Sequence, residues 1–277
     1  MVTEEKVTLT NERVKVIFGD LLDSLRQLII KDRITESEYR ALIEFVSEMG
    51  RLEYEVPLWF DVFLGVTVDN VTYDHYNQMA GTPSNILGPF YLEGAPVRSP
   101  PYRLGRDNEP GDVLFVSGSV LDAKTGAPIP GALLDIWQTS GNGLYDHLDP
   151  DQPDFNMRGK FLTDQEGRFE FRTVIPQPYE IPKDGPTGRL LAMLGHHAWR
   201  PKHIHFKISR DSYLPLTTQV YFEGDPWLHD DVVEGAPKPE LVTRLEKHDS
   251  HKEIESKGLD RPFFTARFDF RLVPATS

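Results

Sequence analysis

Between residues 10 and 80 the apolar positions recur at helical spacing. Val14, Ile17, Leu21, Leu22, Leu25, Leu28 and Ile29 share one face of a predicted helix. Thr35-Glu36-Ser37-Glu38 reads as a capping box that opens a second helix, because Thr35 can accept from the Glu38 amide while Glu38 reaches back. Leu42, Ile43, Phe45 and Val46 give that helix an apolar face, and Gly50 predicts its end. A third helix is predicted from about Val56 to about Val71.

From Asn85 onward the period shortens. Leu114 to Leu121 alternates into the turn Lys124-Thr125-Gly126-Ala127-Pro128, and a strand over Gly131 to Trp137 follows. Arg168 to Thr173, His203 to Ile208, Thr217 to Phe222 and Thr265 to Leu272 are further predicted strands. The 22 prolines and 21 glycines concentrate after Gly81 and supply the turns between them. Short strands at this spacing predict an all-β sandwich. The fold class is therefore mainly β with an N-terminal helical region. Residues 1–84 form the helical region and residues 85–277 the β-sandwich domain.

Composition narrows the partners. A chain of 277 residues suffices for one large domain or a core domain with a smaller one attached, and 39% hydrophobic content supplies a proper core. The net charge of −13 argues against a nucleic acid or an anionic membrane as partner. Without cysteine there is no disulfide, zinc–thiolate or iron–sulfur site. The start, Met-Val-Thr-Glu-Glu-Lys, has no apolar signal region, and no apolar run approaches membrane-spanning length. The cytoplasm is the expected compartment, without membrane insertion.

The candidate chemistry rests on two histidines and two tyrosines. His203 and His205, two apart on one strand, aim two imidazoles at one point. Such a pair suits a metal, and it equally suits a polar strand face. Ser209 and Arg210 stand where a cupin would add a glutamate, and no particular carboxylate is nominated as a third ligand. Tyr145 and Tyr179 lie in Gly/Pro-rich loops beside predicted strands. Either can be an amphipathic core tyrosine. A free phenol titrates near pH ~10, so phenolate at neutral pH needs a strong positive charge such as a trivalent metal. Phenolate is a hard donor, which suits ferric iron and points away from zinc hydrolysis.

The combination of segments is specific. It includes Leu87-Gly88-Pro89-Phe90-Tyr91, Gly131-Ala132-Leu133-Leu134-Asp135-Ile136-Trp137-Gln138, Gly143-Leu144-Tyr145, Arg172-Thr173-Val174-Ile175-Pro176, Asp184-Gly185-Pro186-Thr187-Gly188, Trp199-Arg200-Pro201-Lys202-His203-Ile204-His205-Phe206 and Phe222-Glu223-Gly224-Asp225-Pro226. With them the chain resembles the intradiol ring-cleaving dioxygenases, the catechol 1,2-dioxygenase family, over nearly its whole length.

The resemblance implies that Tyr145, Tyr179, His203 and His205 hold one Fe(III) per chain, with no organic cofactor. It places Arg200 near the bound ring and Gln219 in support of the activated substrate. Tyr179 is the ligand that leaves as a base and Tyr145 the one that stays. Charge then balances: two phenolates and a hydroxide neutralise a trivalent ion, and so do one phenolate and a catechol dianion. The implied pocket is lined by Leu58, Asp61, Val62, Ile86, Gly88, Pro89, Phe90, Ile181 and Pro182, with Arg200. The implied reaction inserts both atoms of O2 into catechol or a chloro-substituted catechol and gives a cis,cis-muconate, in aromatic hydrocarbon catabolism.

Two subgroups compete for the substrate. Pro57-Leu58-Trp59-Phe60-Asp61 and the segment from Tyr179 to Gly188 resemble the chlorocatechol enzymes. Asp61 and Ile181-Pro182 also occur in hydroxyquinol 1,2-dioxygenases, which yield maleylacetate, and an acid there can face a third hydroxyl. The family further implies a homodimer through the N-terminal helices, with phospholipid enclosed. A reading of another class remains beside it: Gly118 to Trp137 resembles metal-free prealbumin-like β-sandwich binding modules.

Overall fold

The capping box at Thr35 forms in full. In the computed structural model, which describes residues 10–52, 54–77 and 81–275, Thr35 Oγ1 accepts from Glu38 N at 3.4 Å and Thr35 N donates to Glu38 Oε2 at 2.7 Å. The pair opens α2 (Glu36–Met49), which follows α1 (Asn11–Asp32). Gly50 caps α2 as expected, but in right-handed geometry, with its amide donating to Val46 and Glu48 carbonyls. Both helices belong to a unit that ends at Arg51. Helix α1 buries none of its residues, and Ile17, Phe18, Leu21, Leu25 and Leu28 are exposed along it.

A second unit begins at Leu52. The third predicted helix appears there in three pieces: α3 (Glu55–Phe60), one π-helical turn (Asp61–Gly65) and α4 (Val66–Asn77). Leu58 and Val62 are buried in one cluster with Ile86, Phe90 and Trp137. These helices therefore pack with the sheets, and the contacts divide the chain between Arg51 and Leu52, earlier than the change of texture at 84/85.

The strands are β1 (Tyr102–Arg103), β2 (Val113–Asp122), β3 (Leu133–Trp137), β4 (Arg158–Leu162), β5 (Arg168–Val174), β6 (Tyr179–Glu180), β7 (Trp199–Arg200), β8 (His203–Ser209), β9 (Leu216–Phe222), β10 (Val242–Thr243), β11 (Glu246–His248), β12 (Phe263–Arg267) and β13 (Phe270–Leu272). One sheet runs β1-β5-β2-β12-β11, with β13 also on β2; the other runs β10-β9-β8-β3-β4; β6 and β7 pair separately. Helices α5 (Pro186–Leu194) and α6 (His251–Ser256) lie in the connections.

The two large sheets share one core. Leu114, Val116 and Val120 from β2 and Phe169 and Phe171 from β5 meet Leu134 and Ile136 from β3 and Ile204, Phe206 and Ile208 from β8. Phe171 and Phe206 touch across it with ring centroids 6.3 Å apart. Alternation along β2 and β8 is what sends these side chains inward. Each such burial contributes about 1.5–3 kcal/mol.

The strand predicted over Thr265 to Leu272 is broken at Phe268 and Asp269. Asp269 Oδ1 takes the Ser119 amide at 2.8 Å, a donor that a continuous ladder would have used. Phe268 O lies 1.8 Å from where a Cβ on Gly118 would stand, so only glycine admits the break. Among the described residues, no helix is long and apolar enough to cross a membrane.

Candidate metal centre and active site

The register of the smaller sheet sets out half of the site. Arg158, Trp137, His205 and Gln219 lie in one row across β4, β3, β8 and β9, and Tyr221 lies opposite His203 in the next. The odd positions of β8 face away from the sandwich core, so both imidazoles stand on its far side. Their Nε2 atoms are 3.1 Å apart. His203 Nδ1 is 2.7 Å from the Pro201 carbonyl, which holds the Nδ1–H tautomer and leaves Nε2 a bare acceptor. His205 stacks on Trp137 at 4.6 Å and 9°, which fixes its plane.

Both tyrosines reach this point from loops. Tyr145 precedes a single 3-10 turn, Asp146–Leu148, whose Asp146 accepts from Arg158 Nε at 2.8 Å and from Phe155 N at 2.9 Å. Tyr179 lies opposite Arg200 in the β6–β7 pair. The Tyr145 and Tyr179 rings meet edge to face at 5.6 Å and 88°, and Tyr179 is 5.8 Å from the His203 ring. All four side chains are buried.

Burial dominates the electrostatics. It pushes both phenols above their ordinary range; the neighbouring Tyr179 adds to the rise at Tyr145, and Arg200 opposes it at Tyr179. It drives both imidazoles well below theirs, with Arg200 adding at His203 and His203 then Arg200 adding at His205. The cluster therefore presents neutral imidazoles and neutral phenols.

Arg200 enters with its charge held. Asp231 accepts from its Nε at 3.1 Å and its Nη2 at 3.0 Å, and the same Nη2 donates to Gln219 Oε1 at 3.1 Å and Tyr221 Oη at 3.3 Å. Burial works against this guanidinium, but Asp231, Tyr221 and Tyr179 outweigh it and hold its pKa well above the usual value. Gln219 Nε2 donates to the Ile86 carbonyl at 2.8 Å, and Tyr221 Oη donates to Gln219 Oε1 at 2.7 Å. Asn85 fixes the start of that loop: Oδ1 accepts from Ile86 N at 2.8 Å and Nδ2 donates to Ala236 O at 2.6 Å. Asp231, Tyr221 and Asn85 carried no signal in the sequence; each is recognisable only by the partner that folding brings to it.

Leu58, Val62, Ile86, Phe90 and Ile181 are buried in one cluster with Tyr145 and Tyr179. The Phe90 ring is 5.0 Å from that of Tyr145. Asp61 opens the π-helical turn, a feature frequent at functional sites. Burial pushes its carboxyl up to about 6, opposed by Arg200 and by a hydrogen bond from the Gly88 amide. Gly88 has φ +78°, and a Cβ there would lie 3.4 Å from His205 Cε1. Pro89 and Pro182 are half-buried beside Gly88 and Ile181.

The donor set fits a hard trivalent ion. The Tyr145 hydroxyl and His205 Nδ1 are buried without a hydrogen-bond partner among the described residues. The two Nε2 atoms, 3.1 Å apart, are close enough to share one ion. No third histidine, aspartate or glutamate among the described residues joins them in a group that could hold a metal, so the oxygen donors at hand are the phenols.

Known proteins resemble the chain along most of its length. The family described as catechol dioxygenase N terminus matches residues 11–79, and the family described as dioxygenase matches residues 86–274. The chain is 42% identical over 245 residues to a chlorocatechol 1,2-dioxygenase of Rhodococcus opacus, covering 87% of this chain and 93% of that one. It is 32% identical over 266 residues to a hydroxyquinol 1,2-dioxygenase of Rhizobium sp., covering 94% and 89%. The crystal structure of 3-chlorocatechol 1,2-dioxygenase from Rhodococcus opacus superposes with a TM-score of 0.83 at 39% identity, over 96% of this chain and 100% of that one.

Proposed function

The chain belongs to the intradiol ring-cleaving dioxygenases, the oxidoreductase family of catechol 1,2-dioxygenase, and from that premise we propose that it is a ferric enzyme acting on catechol or a chlorocatechol. The product is a cis,cis-muconate. The observation that carries this reading is the convergence of the His203 and His205 Nε2 atoms beside two buried tyrosines. Tyr145, Tyr179, His203 and His205 would hold the ion, one per chain, and bound Fe(III) would supply Lewis acidity toward the diol and the charge that keeps phenolate ionised.

The remaining steps fall to the chain itself. Tyr179 Oη takes a proton from the entering diol, beside the charge of Arg200. Arg200, aimed by Asp231, stabilises the negative charge that builds on the ring. Gln219 couples that guanidinium to the Ile86 carbonyl and so to the pocket wall. Leu58, Val62, Phe90 and Ile181 exclude water from the reacting ring. Both oxygen atoms of O2 enter the product, so no organic cofactor or outside reductant is required.

A second substrate reading rests on Asp61. Its half-buried carboxyl, within the field of Arg200, can accept a hydrogen bond from a third ring hydroxyl, which favours hydroxyquinol. The binding-module reading accounts for Gly118 to Trp137 alone and gives Tyr145, Tyr179, His203 and His205 no task. The exposed apolar side chains of α1 are assigned to pairing with a second copy, with phospholipid between them, and the compartment to the cytoplasm.

Loading the purified protein with Fe(III) tests the proposal. It should turn red through tyrosinate-to-iron charge transfer and consume equimolar O2 and catechol while muconate accumulates. A protein that stays colourless after loading, or that takes up no O2 with any diol, overturns it.

A further inference from the structure

We propose that Arg172, with Arg103, forms a second binding site, for a small dianionic oxyanion, on the outer face of the larger sheet. The position follows from register: Arg103, Arg172, Phe115 and Thr265 form one row across β1, β5, β2 and β12. Their strand neighbours Leu114, Val116 and Phe171 fill the sandwich core, so the row faces outward. It lies beneath a cavity of about 910 Å³ lined by Arg103, Phe115, Arg172, Lys257 and Arg267. The sandwich core separates this cavity from His203 and His205, which face out from the other sheet.

Charge singles the place out. The chain carries −13 overall, yet cations gather here. Most are matched: Arg103 pairs with Asp107, Lys257 with Glu170 at 3.0 Å, and Arg267 with Asp269 at 3.1 Å. Arg172 and Arg261 have no hydrogen-bonded or ion-paired side-chain partner among the described residues. Arg172 stands directly opposite Arg103 in the ladder, where like charges are unfavourable. Burial and then the charges of Arg103 and Arg261 hold its guanidinium below the usual arginine range.

Arg172, unmatched and directly opposite Arg103 in the ladder, leaves two guanidiniums on one cavity wall that fit one dianion. A guanidinium fork matches carboxylate or phosphate oxygens in pairs, and a bridging oxyanion turns the repulsion into attraction. The Phe115 ring, with Lys257 Nζ 4.4 Å from its centre, gives the cavity an apolar floor. Inorganic phosphate and a small organic dicarboxylate share the required chemistry. Arg172 was part of a motif in the sequence and has no part in the metal centre.

The melting temperature of the iron-loaded enzyme, at ionic strength fixed with chloride, tests the site against inorganic phosphate and against cis,cis-muconate. The expected result is a saturable rise of about 3–5 °C at ten times Kd. The variants R172Q and R103Q should each lose it while kcat/KM for catechol stays unchanged. A rise with phosphate alone identifies an inorganic ligand, with muconate alone a dicarboxylate, and with both a general oxyanion site. No rise with either dianion, or a rise that both variants retain, overturns the proposal; R103Q keeps the test open if R172Q does not fold.

Discussion

Arg200 and Asp231 share a two-point ion pair inside the site, with Asp231 oxygens 3.1 and 3.0 Å from Nε and Nη2. The side chains are 3% and 1% exposed, so neither charge has water as a substitute partner. Asp231 is itself fixed by the Val233 amide at 3.0 Å. Asp231→Ala therefore strands a buried guanidinium. It should cost about 3–5 kcal/mol of stability and lower kcat by about 10²-fold through a misplaced Arg200. Thermal unfolding and steady-state kinetics check both, and an unchanged kcat would show that Arg200 needs no such anchor.

Tyr179→Phe removes one phenol oxygen and keeps the ring against His203 and Tyr145. The variant should stay folded, shift the visible absorption of the iron-loaded protein and lose turnover. Absorption spectra and O2 uptake decide it. An unaltered spectrum and rate would assign the oxygen donor elsewhere.

The Asp61 carboxyl, raised to about 6 chiefly by burial, makes stability depend on pH. Between its ordinary value near ~4 and about 6, the folded chain binds more protons than the unfolded one, so stability falls as pH rises through that window. Asp61→Asn should melt above the parent at pH 8, with the difference closing toward pH 4. The same variant should lose about tenfold in kcat/KM for hydroxyquinol relative to catechol if Asp61 faces the third hydroxyl.

Gly88 and Gly126 separate strain from contact. Both have left-handed φ, +78° and +73°, but a Cβ at Gly126 meets nothing within 4 Å while one at Gly88 approaches His205 Cε1 at 3.4 Å. Each change to Ala should cost about 1–2 kcal/mol. Only Gly88→Ala should also weaken iron retention, measured by competition with a chelator.

Leu21 and Leu25 lie exposed on α1, 50% and 44% of each being accessible. Replacing both with Lys should leave catechol cleavage in place and convert the proposed dimer to monomers by light scattering. A mass unaffected by the double change would move the pairing surface off this helix.

Much of the frame was legible because its causes are local. The Thr35–Glu38 capping box needs only four neighbouring residues, and the alternation over His203 to Ile208 fixes which side chains share a face. The two histidines could be placed together for that reason. Tyr145 and Tyr179 were joined to them only by resemblance, since no periodicity links two loops to a strand. Asp231 was not legible at all: it is one of 43 acidic residues, and its meaning lies in Arg200, 31 positions away. The break at Phe268 likewise depends on Gly118, far off in the chain. The change of texture after residue 84 marks where helices give way to strands, whereas the compact unit is drawn by what Leu58 and Val62 touch.

Strand β8 works as a partition wall. Ile204, Phe206 and Ile208 look into the sandwich, and His203 and His205 look the other way. The packing on the core side does not draw on the groups of the other side. On the proposed ferric reading, folding of the sandwich and loading of the ion are separable events. Loading becomes a separate checkpoint, and chelation should silence the molecule without unfolding it.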